Sequence, residues 1–317
     1  MNERLILMTK RLFLSCVMLS TAHAEWEALP SMPEPNGGFM CGVSNGKIVV
    51  VGGTNWEGGK KNWLKAIHAY DLATKAWTKV TELENPVAYG AGMQIGDGFV
   101  YLGGSDGKQP VKELSTIRLS ELPASTVLTA GGAVGSRYVI AGGTDDALNV
   151  AGVQSATHMV EWVSGNWEVS KVADYPGKPF AVAASAVVGD ELFVFGGMNY
   201  DHAAQQIMNT IESYAFSPAK NVWRKLKPLA VARRGMAAVA LDESLIYIAG
   251  GFAEEFTTDA FIYDVRRDSY KPAKPLPYAA MVALVKLDGF VYCLGGEDKK
   301  QSRTDKFFRI PVAELLK

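Results

Sequence analysis

The sequence predicts an all-β fold, a propeller of six blades closed into a ring, on two observations. A Gly-Gly pair recurs six times, at Gly52-Gly53, Gly103-Gly104, Gly142-Gly143, Gly196-Gly197, Gly250-Gly251 and Gly295-Gly296. Each pair closes a short apolar run: IVVVGG, FVYLGG, YVIAGG, LFVFGG, IYIAGG and VYCLGG. Successive pairs lie 51, 39, 54, 54 and 45 residues apart. A unit of this length cannot bury its own apolar face, so the units stack on one another and form a single domain.

A period near about 50 residues is the kelch signature, and kelch units fold as four-stranded blades. The fifth unit shows the pattern most clearly. Residues 235–241 (GMAAVAL) form a first strand, and SLIYIAGG forms a second whose continuous apolar run suits burial on both faces. Residues 259–265 form a third, and 269–273 a short fourth that stops at Pro275-Leu276-Pro277. An aromatic marks the fourth strand in several units, as Trp77, Trp167, Trp223 and Tyr270. These rings are expected to pack between blades. The paired glycines are structural, because Gly tolerates positive φ and close backbone approach. None stands in a phosphate-loop pattern.

The remaining elements follow from the ends of the repeat array. The last unit supplies three strands, at 280–287, 290–296 and 305–311. Its missing aromatic strand is expected at the other end of the chain, in Glu25-Trp26-Glu27-Ala28-Leu29-Pro30, which would clasp the ring shut and remove a free sheet edge. The second unit is short, and the prediction there is a blade without a full outer strand. Ahead of the ring, residues 1–24 read as a cleavable export signal. Lys10 and Arg11 precede the apolar run 12–20, and Ala22-His23-Ala24 is a small-x-small cleavage site. Met8 is an alternative start. The apolar run is too short to span a bilayer, so no membrane attachment is expected after cleavage. The expected domains are thus a signal over 1–24 and the propeller over 25–317, exported from the cytoplasm.

Composition excludes several functions. The 32 basic and 33 acidic residues leave a net charge of −1, so there is no electrostatic case for nucleic acid or an anionic membrane. The mature chain carries two cysteines, Cys41 and Cys293, both expected as buried free thiols. The four histidines do not cluster, and no Cys/His spacing fits a metal, so neither a metal nor another cofactor is expected. A copper radical oxidase on this fold would need a His/Tyr/Cys set that is missing. Nothing in the sequence specifies an oligomeric state.

In a four-stranded blade, the loops after each Gly-Gly and the loops before each first strand meet on one face. That face is the expected binding surface. The richest loop is TNWEGGKKNWLK, with Asn55, Trp56, Lys60 and Lys61. Next is EDKKQSRTD, in which Glu297 directly follows the glycines and Arg303 comes six residues later. The entry loops add Asn36-Gly37-Gly38, Asn85, Tyr89, Arg233 and Arg234, and Asn199 and Tyr200 follow the fourth pair. Of Arg233 and Arg234 one is expected to face inward and one outward, since successive strand residues point oppositely. Cations, a carboxylate, amides and aromatic rings together suit a small, acidic, ring-shaped ligand. A Glu at a pocket floor can act as a general acid–base group. Glu297 and Arg303 would equally serve as an ion pair that ties down a loop.

Three stretches carry a more specific resemblance: GGFMCGVSNGKIVVVGGTNWEGGKKNWLKAIHAYD, AYGAGMQIGDGFVYLGGSDG and GGEDKKQSRTDKFF, the last with the spacing G-E-x5-R-T-D. In these the chain resembles the N-acetylneuraminate epimerase (sialic acid mutarotase) family, and among them the cyclically permuted, periplasmic members. The resemblance implies interconversion of the α and β anomers of N-acetylneuraminate or a related sugar. It implies Glu297 as proton acceptor and Arg303 as a residue needed for activity. In that scheme Arg303, with Arg233 or Arg234, holds the sugar carboxylate, and Tyr89, a lysine or water supplies the second proton. Tyr89, Asn36, Asn55, Trp56 and Lys60 complete the expected substrate-binding set. The competing reading is a non-catalytic propeller that binds a protein or glycan partner.

Overall fold

In a computed structural model of the chain, residues 25–115, 117–118, 122–123, 125–148 and 150–317 are described. The export signal read at residues 1–24 lies outside them. Six four-stranded antiparallel sheets follow one another along the chain. The innermost strands are Met40–Ser44, Ala91–Ile95, Ala130–Val134, Ala184–Val188, Ala237–Ala240 and Met281–Leu287. Each packs against the next, and the sixth packs against the first, so the ring is closed.

The glycine pairs make the joints between blades. All twelve glycines have positive φ. The amide of each second glycine donates to a carbonyl where the chain enters the next blade. The acceptors are Val87 at 2.8 Å, Thr126 at 3.0 Å, Phe180 at 2.7 Å, Arg233 at 2.8 Å, Ala280 at 3.0 Å and Asn36 at 2.7 Å. The last of these runs from Gly296 back to the first blade. There is no room for a side chain: a Cβ at Gly52 would sit 2.0 Å from the Val87 carbonyl oxygen, and one at Gly296 2.1 Å from that of Met281.

The apolar core lies between blades. Among the described residues there is one buried cluster at each of the six interfaces. The outer-strand aromatics pack into these clusters and also latch the rim. Trp26 Nε1 donates to Pro275 O at 2.8 Å, Trp77 Nε1 to Pro30 O at 3.2 Å, Trp223 Nε1 to Ala173 O at 2.9 Å and Tyr270 OH to Lys227 O at 2.9 Å. In each case the acceptor belongs to the exit of the preceding blade. Cys41 and Cys293 are free and stand at different interfaces. Burial pushes each thiol up to about 12.

The chain end closes the ring as expected. Glu27–Ala28 pairs with Phe307–Pro311 as the outer strand of the sixth blade. Arg309 Nε meets Glu27 at 2.6 Å and Lys274 meets Glu25 at 3.1 Å. The second blade lacks a full outer strand, as expected: its outer strand, Ile117–Arg118, and its third strand, Glu113–Leu114, are each only two residues long. The shortfall in length falls on both rim strands and leaves the inner pair whole. One expectation needs correction, because the segment after Gly53 is no loop. Lys47–Glu57 and Lys60–Asp71 stay paired out to Glu57↔Lys60, with the turn at Gly58 and Gly59 in the left-handed region. A smaller hairpin, Met198–Asp201 with Gln206–Asn209, rises after the fourth glycine pair, and a four-residue helix, Val312–Leu315, ends the chain.

Deleting residues 25–30 removes the closing strand, its ion pairs and Trp26. Unfolding should become easier by about 3–5 kcal/mol, seen as a drop in Tm with aggregation by light scattering. An unchanged Tm would show that the ring does not need its clasp. Gly296→Ala should cost about 2 kcal/mol or more in urea unfolding, because its φ of 104° and the Met281 carbonyl both oppose a Cβ.

Candidate active site

The entry loops build a collar around the axis. Two residues beyond each glycine-bonded carbonyl stand Gly38, Tyr89, Leu128, Val182 and Gly235, all in the left-handed region with φ of 70°, 64°, 59°, 55° and 64°. The amides of Tyr89, Leu128, Val182 and Gly235 each donate to the collar residue before them, at 2.7, 2.7, 2.9 and 2.8 Å. A β-branched Val and an aromatic Tyr are costly in this conformation and persist only where the surroundings dictate it. The sixth position, Val282, lies instead at a bulge between Met281 and Ala283. Bulges re-aim neighbouring side chains. Here Met281 pairs with Glu297.

The collar opens into a cavity of 760 Å³ at the axis, lined by all six of these residues and by Trp56, Lys61, Arg234, Phe252, Glu297 and Arg303 among others. Glu297 and Arg303 are brought together there. Arg303 Nη1 lies 3.0 Å from Glu297 Oε2, with the arginine side chain 5% exposed and the glutamate 31%. The pair is therefore an ion pair and a cavity wall at once. Arg303 Nη1 also donates to Ser302 O at 2.7 Å, Nη2 to the Tyr89 hydroxyl at 3.2 Å and Nε to Thr54 Oγ1 at 3.4 Å. The Thr54 and Tyr89 hydroxyls share a hydrogen bond at 3.1 Å. Glycines make room for this group. A Cβ at Gly37 would meet Arg303 Cδ at 2.3 Å, and one at Gly38 would meet Tyr89 Cε1 at 2.2 Å.

The long hairpin of the first blade adjoins this group, between Arg303 of the sixth blade and Tyr89 of the second. Its register pairs Thr54 with Trp63, Asn55 with Asn62, and Trp56 with Lys61. Side chains alternate between faces, so Thr54, Trp56, Lys61 and Trp63 share the side toward the axis. The Lys61 ammonium lies 4.7 Å from the Tyr89 ring centre and 5.0 Å from that of Trp63. Trp63 meets Tyr89 edge to face at 5.6 Å. Burial alone would push the Tyr89 phenol up. The Lys61 and Arg303 cations, with the Thr54 hydrogen bond, outweigh it and hold the pKa below the ordinary tyrosine value.

Arg234 faces the cavity from the fifth blade. Its guanidinium lies 4.5 Å over the Phe252 ring, and Nη1 donates to Asn209 Oδ1 at 2.8 Å. Burial lowers its pKa, and Glu297 opposes that change. Among the described residues, two polar atoms at the cavity, Trp56 Nε1 and Thr129 Oγ1, are buried without a hydrogen-bond partner.

Four of the expected binding residues do not line this cavity. Arg233 turns away and pairs with Asp259 at 2.5 Å, so the adjacent arginines split. Asn36 is buried as a strut, with Nδ2 on Gly52 O at 2.8 Å. Asn55 bonds Glu34 and Asn62 on the far side of the hairpin. Lys60 is out of phase, and Lys61 takes the inward place. Asn85 lines a separate rim cavity, and Asn199 and Tyr200 line another. Sequence reasoning passed over Thr54, Phe252, Phe256 and Asn209. One signal was available for two of them. Thr54, Phe252 and Glu297 are each the first residue after a glycine pair, so they occupy equivalent places around the axis.

The chain matches the family model of the Kelch motif over residues 36–84, 183–230 and 233–277. It is 26% identical over 180 residues to an N-acetylneuraminate epimerase of Salmonella enteritidis, covering 45% of this chain and 46% of that protein. It is 30% identical over 98 residues to the one of Salmonella arizonae, covering 31% of this chain and 25% of that protein. Kelch-like protein 35 of Mus musculus is 32% identical over 133 residues, covering 41% of this chain and 21% of that protein. The chain thus spans about half the length, or less, of the curated relatives it matches. The solved structure of YjhT superposes with a TM-score of 0.71 at 15% identity, covering 89% of this chain and 97% of that one, and so shares the fold. The chain is a kelch-repeat β-propeller related in sequence to the N-acetylneuraminate epimerase family.

Proposed function

We propose that this protein is a mutarotase that interconverts the α and β anomers of N-acetylneuraminate or a related acidic sugar, working in the periplasm after loss of its export signal. In this reading the chain is a cyclically permuted member of its family, and a closed ring can begin at any blade. The observation that carries the reading is the meeting of Glu297, Arg303 and Tyr89 at one wall of an axial cavity large enough for a monosaccharide. The cavity is lined by four cationic side chains, Lys61, Arg234, Lys300 and Arg303, against one carboxylate, Glu297. That excess of positive charge, on a chain whose net charge is −1, favours an anionic ligand.

The chemistry balances without a cofactor. Glu297 takes the proton of the anomeric hydroxyl as the bond between the anomeric carbon and the ring oxygen breaks. Tyr89 gives its proton to the departing ring oxygen, and the nearby cations stabilise the phenolate. Rotation about the bond to the new carbonyl carbon turns its other face toward the ring hydroxyl. On closure that hydroxyl returns its proton to Tyr89, and Glu297 returns its own to the carbonyl oxygen. Both groups end as they began. Spontaneous mutarotation is already quick, so acid–base assistance of about 10²–10⁴-fold is enough to matter.

Glu297→Gln should remove about 10²-fold or more of the acceleration while leaving the fold intact. Anomer-exchange NMR with N-acetylneuraminate and circular dichroism test this, and unchanged exchange would defeat the assignment. The Tyr89 phenol should ionise below the ordinary tyrosine range, since two cations favour the phenolate. Ultraviolet difference titration against Tyr89→Phe isolates this one group. Lys61→Met should move its midpoint up, and a midpoint that stays put would show that Lys61 does not tune the phenol.

A further inference from the structure

We infer that Arg234, seated on Phe252 and aimed by Asn209, is the seat for the carboxylate of the sugar acid, and that Arg303 is a positioning residue that does not grip the substrate. The inference rests on the sugar-acid reading of the cavity and divides the work between its two arginines.

A count of donors decides between them. A guanidinium offers five N–H donors on three nitrogens. All three nitrogens of Arg303 are engaged by the protein: Nε by Thr54, Nη1 by Ser302 and Glu297, Nη2 by Tyr89. Its side chain is 5% exposed. These contacts use four of its five donors, so a bidentate grip on a substrate carboxylate would have to displace one of the partners that Arg303 already holds. Arg303 is built to hold Glu297 and Tyr89 in register.

Arg234 is the opposite case. Among the described residues its side chain makes a single hydrogen bond, Nη1 to Asn209 Oδ1 at 2.8 Å. That bond and the Phe252 ring 4.5 Å below fix the plane of the guanidinium and leave Nε and Nη2 free. A planar fork with free donors on a desolvated face matches a carboxylate bidentately. Arg234 is half-buried in the cavity wall with no carboxylate in contact. The other cations fit the task less well. Lys61 is engaged over Tyr89 and Trp63, and Lys300 is exposed at the rim. The assignment puts the carboxylate on the fifth blade and the proton-transfer groups on the sixth and second.

Isothermal titration calorimetry with N-acetylneuraminate and its methyl ester tests the seat directly, and anomer-exchange NMR is run on the same samples. The native protein should prefer the free acid by at least about tenfold. Arg234→Gln should abolish that preference and raise KM far more than it lowers kcat. Arg234→Lys, which keeps the charge without the fork, should fall between. Arg303→Lys should lower kcat and displace the pH profile while keeping the acid-over-ester ratio. Circular dichroism confirms that each variant is folded. Equal binding of acid and ester by the native protein overturns the inference. So does an Arg234→Gln variant that keeps the preference, or an Arg303→Lys variant that loses it. Acid binding through Arg234 without any acceleration of anomer exchange would overturn the mutarotase reading and leave the seat standing. Exchange that survives Arg234→Gln with an unchanged KM would overturn the seat alone.

Discussion

A single backbone hydrogen bond, repeated six times, organises this molecule: the amide of the second glycine of each pair donates to the carbonyl at the entrance of the next blade. The bond demands that two chains touch backbone to backbone, so neither glycine position tolerates a Cβ. It also sets the phase of everything that follows. Two residues past five of the six acceptors the chain turns through the left-handed region, which produces the collar of Tyr89, Leu128 and Val182. The strain of those residues is carried by the closed ring. The same joints therefore hold the blades together and shape the mouth of the cavity.

Stability and chemistry are separated radially. Apolar side chains fill the six interfaces between blades, and the aromatic latches stand at the rim. At the axis, polar and charged groups that a packed core would exclude gather beside the apolar collar residues Leu128 and Val182. The second blade shows how far the division goes. It loses length in its two outer strands yet keeps five-residue inner strands, and with them Tyr89 in place.

At the axis, the arrangement of charge matters more than its amount. Arg303 is held on all three nitrogens by Glu297, Tyr89, Thr54 and Ser302, and so acts as a rigid internal counter-charge. Arg234 is held at one corner only and keeps donors to spare. Two arginines in one cavity thus have different chemistry because their partners differ. The tyrosine between the cations gains acidity from them, which suits a group that must give up and recover a proton.

The number of blades, the position of nearly every inner strand and the clasp by residues 25–30 could be read from the sequence, because each rests on local period and composition. The Gly-Gly spacing and the apolar runs fix strands one at a time, and a missing aromatic strand at one end has its match at the other. Glu297 and Arg303 could be singled out because they lie six residues apart in one segment. Their partner Tyr89 is 214 residues from Arg303 in the chain, and only ring closure makes them neighbours. The choice of Lys61 over Lys60, and of Arg234 over Arg233, was likewise decided by tertiary structure. Adjacent residues in a strand face opposite ways, so a shift of one position in register exchanges them, and that register is set by pairing and bulges that no local pattern records.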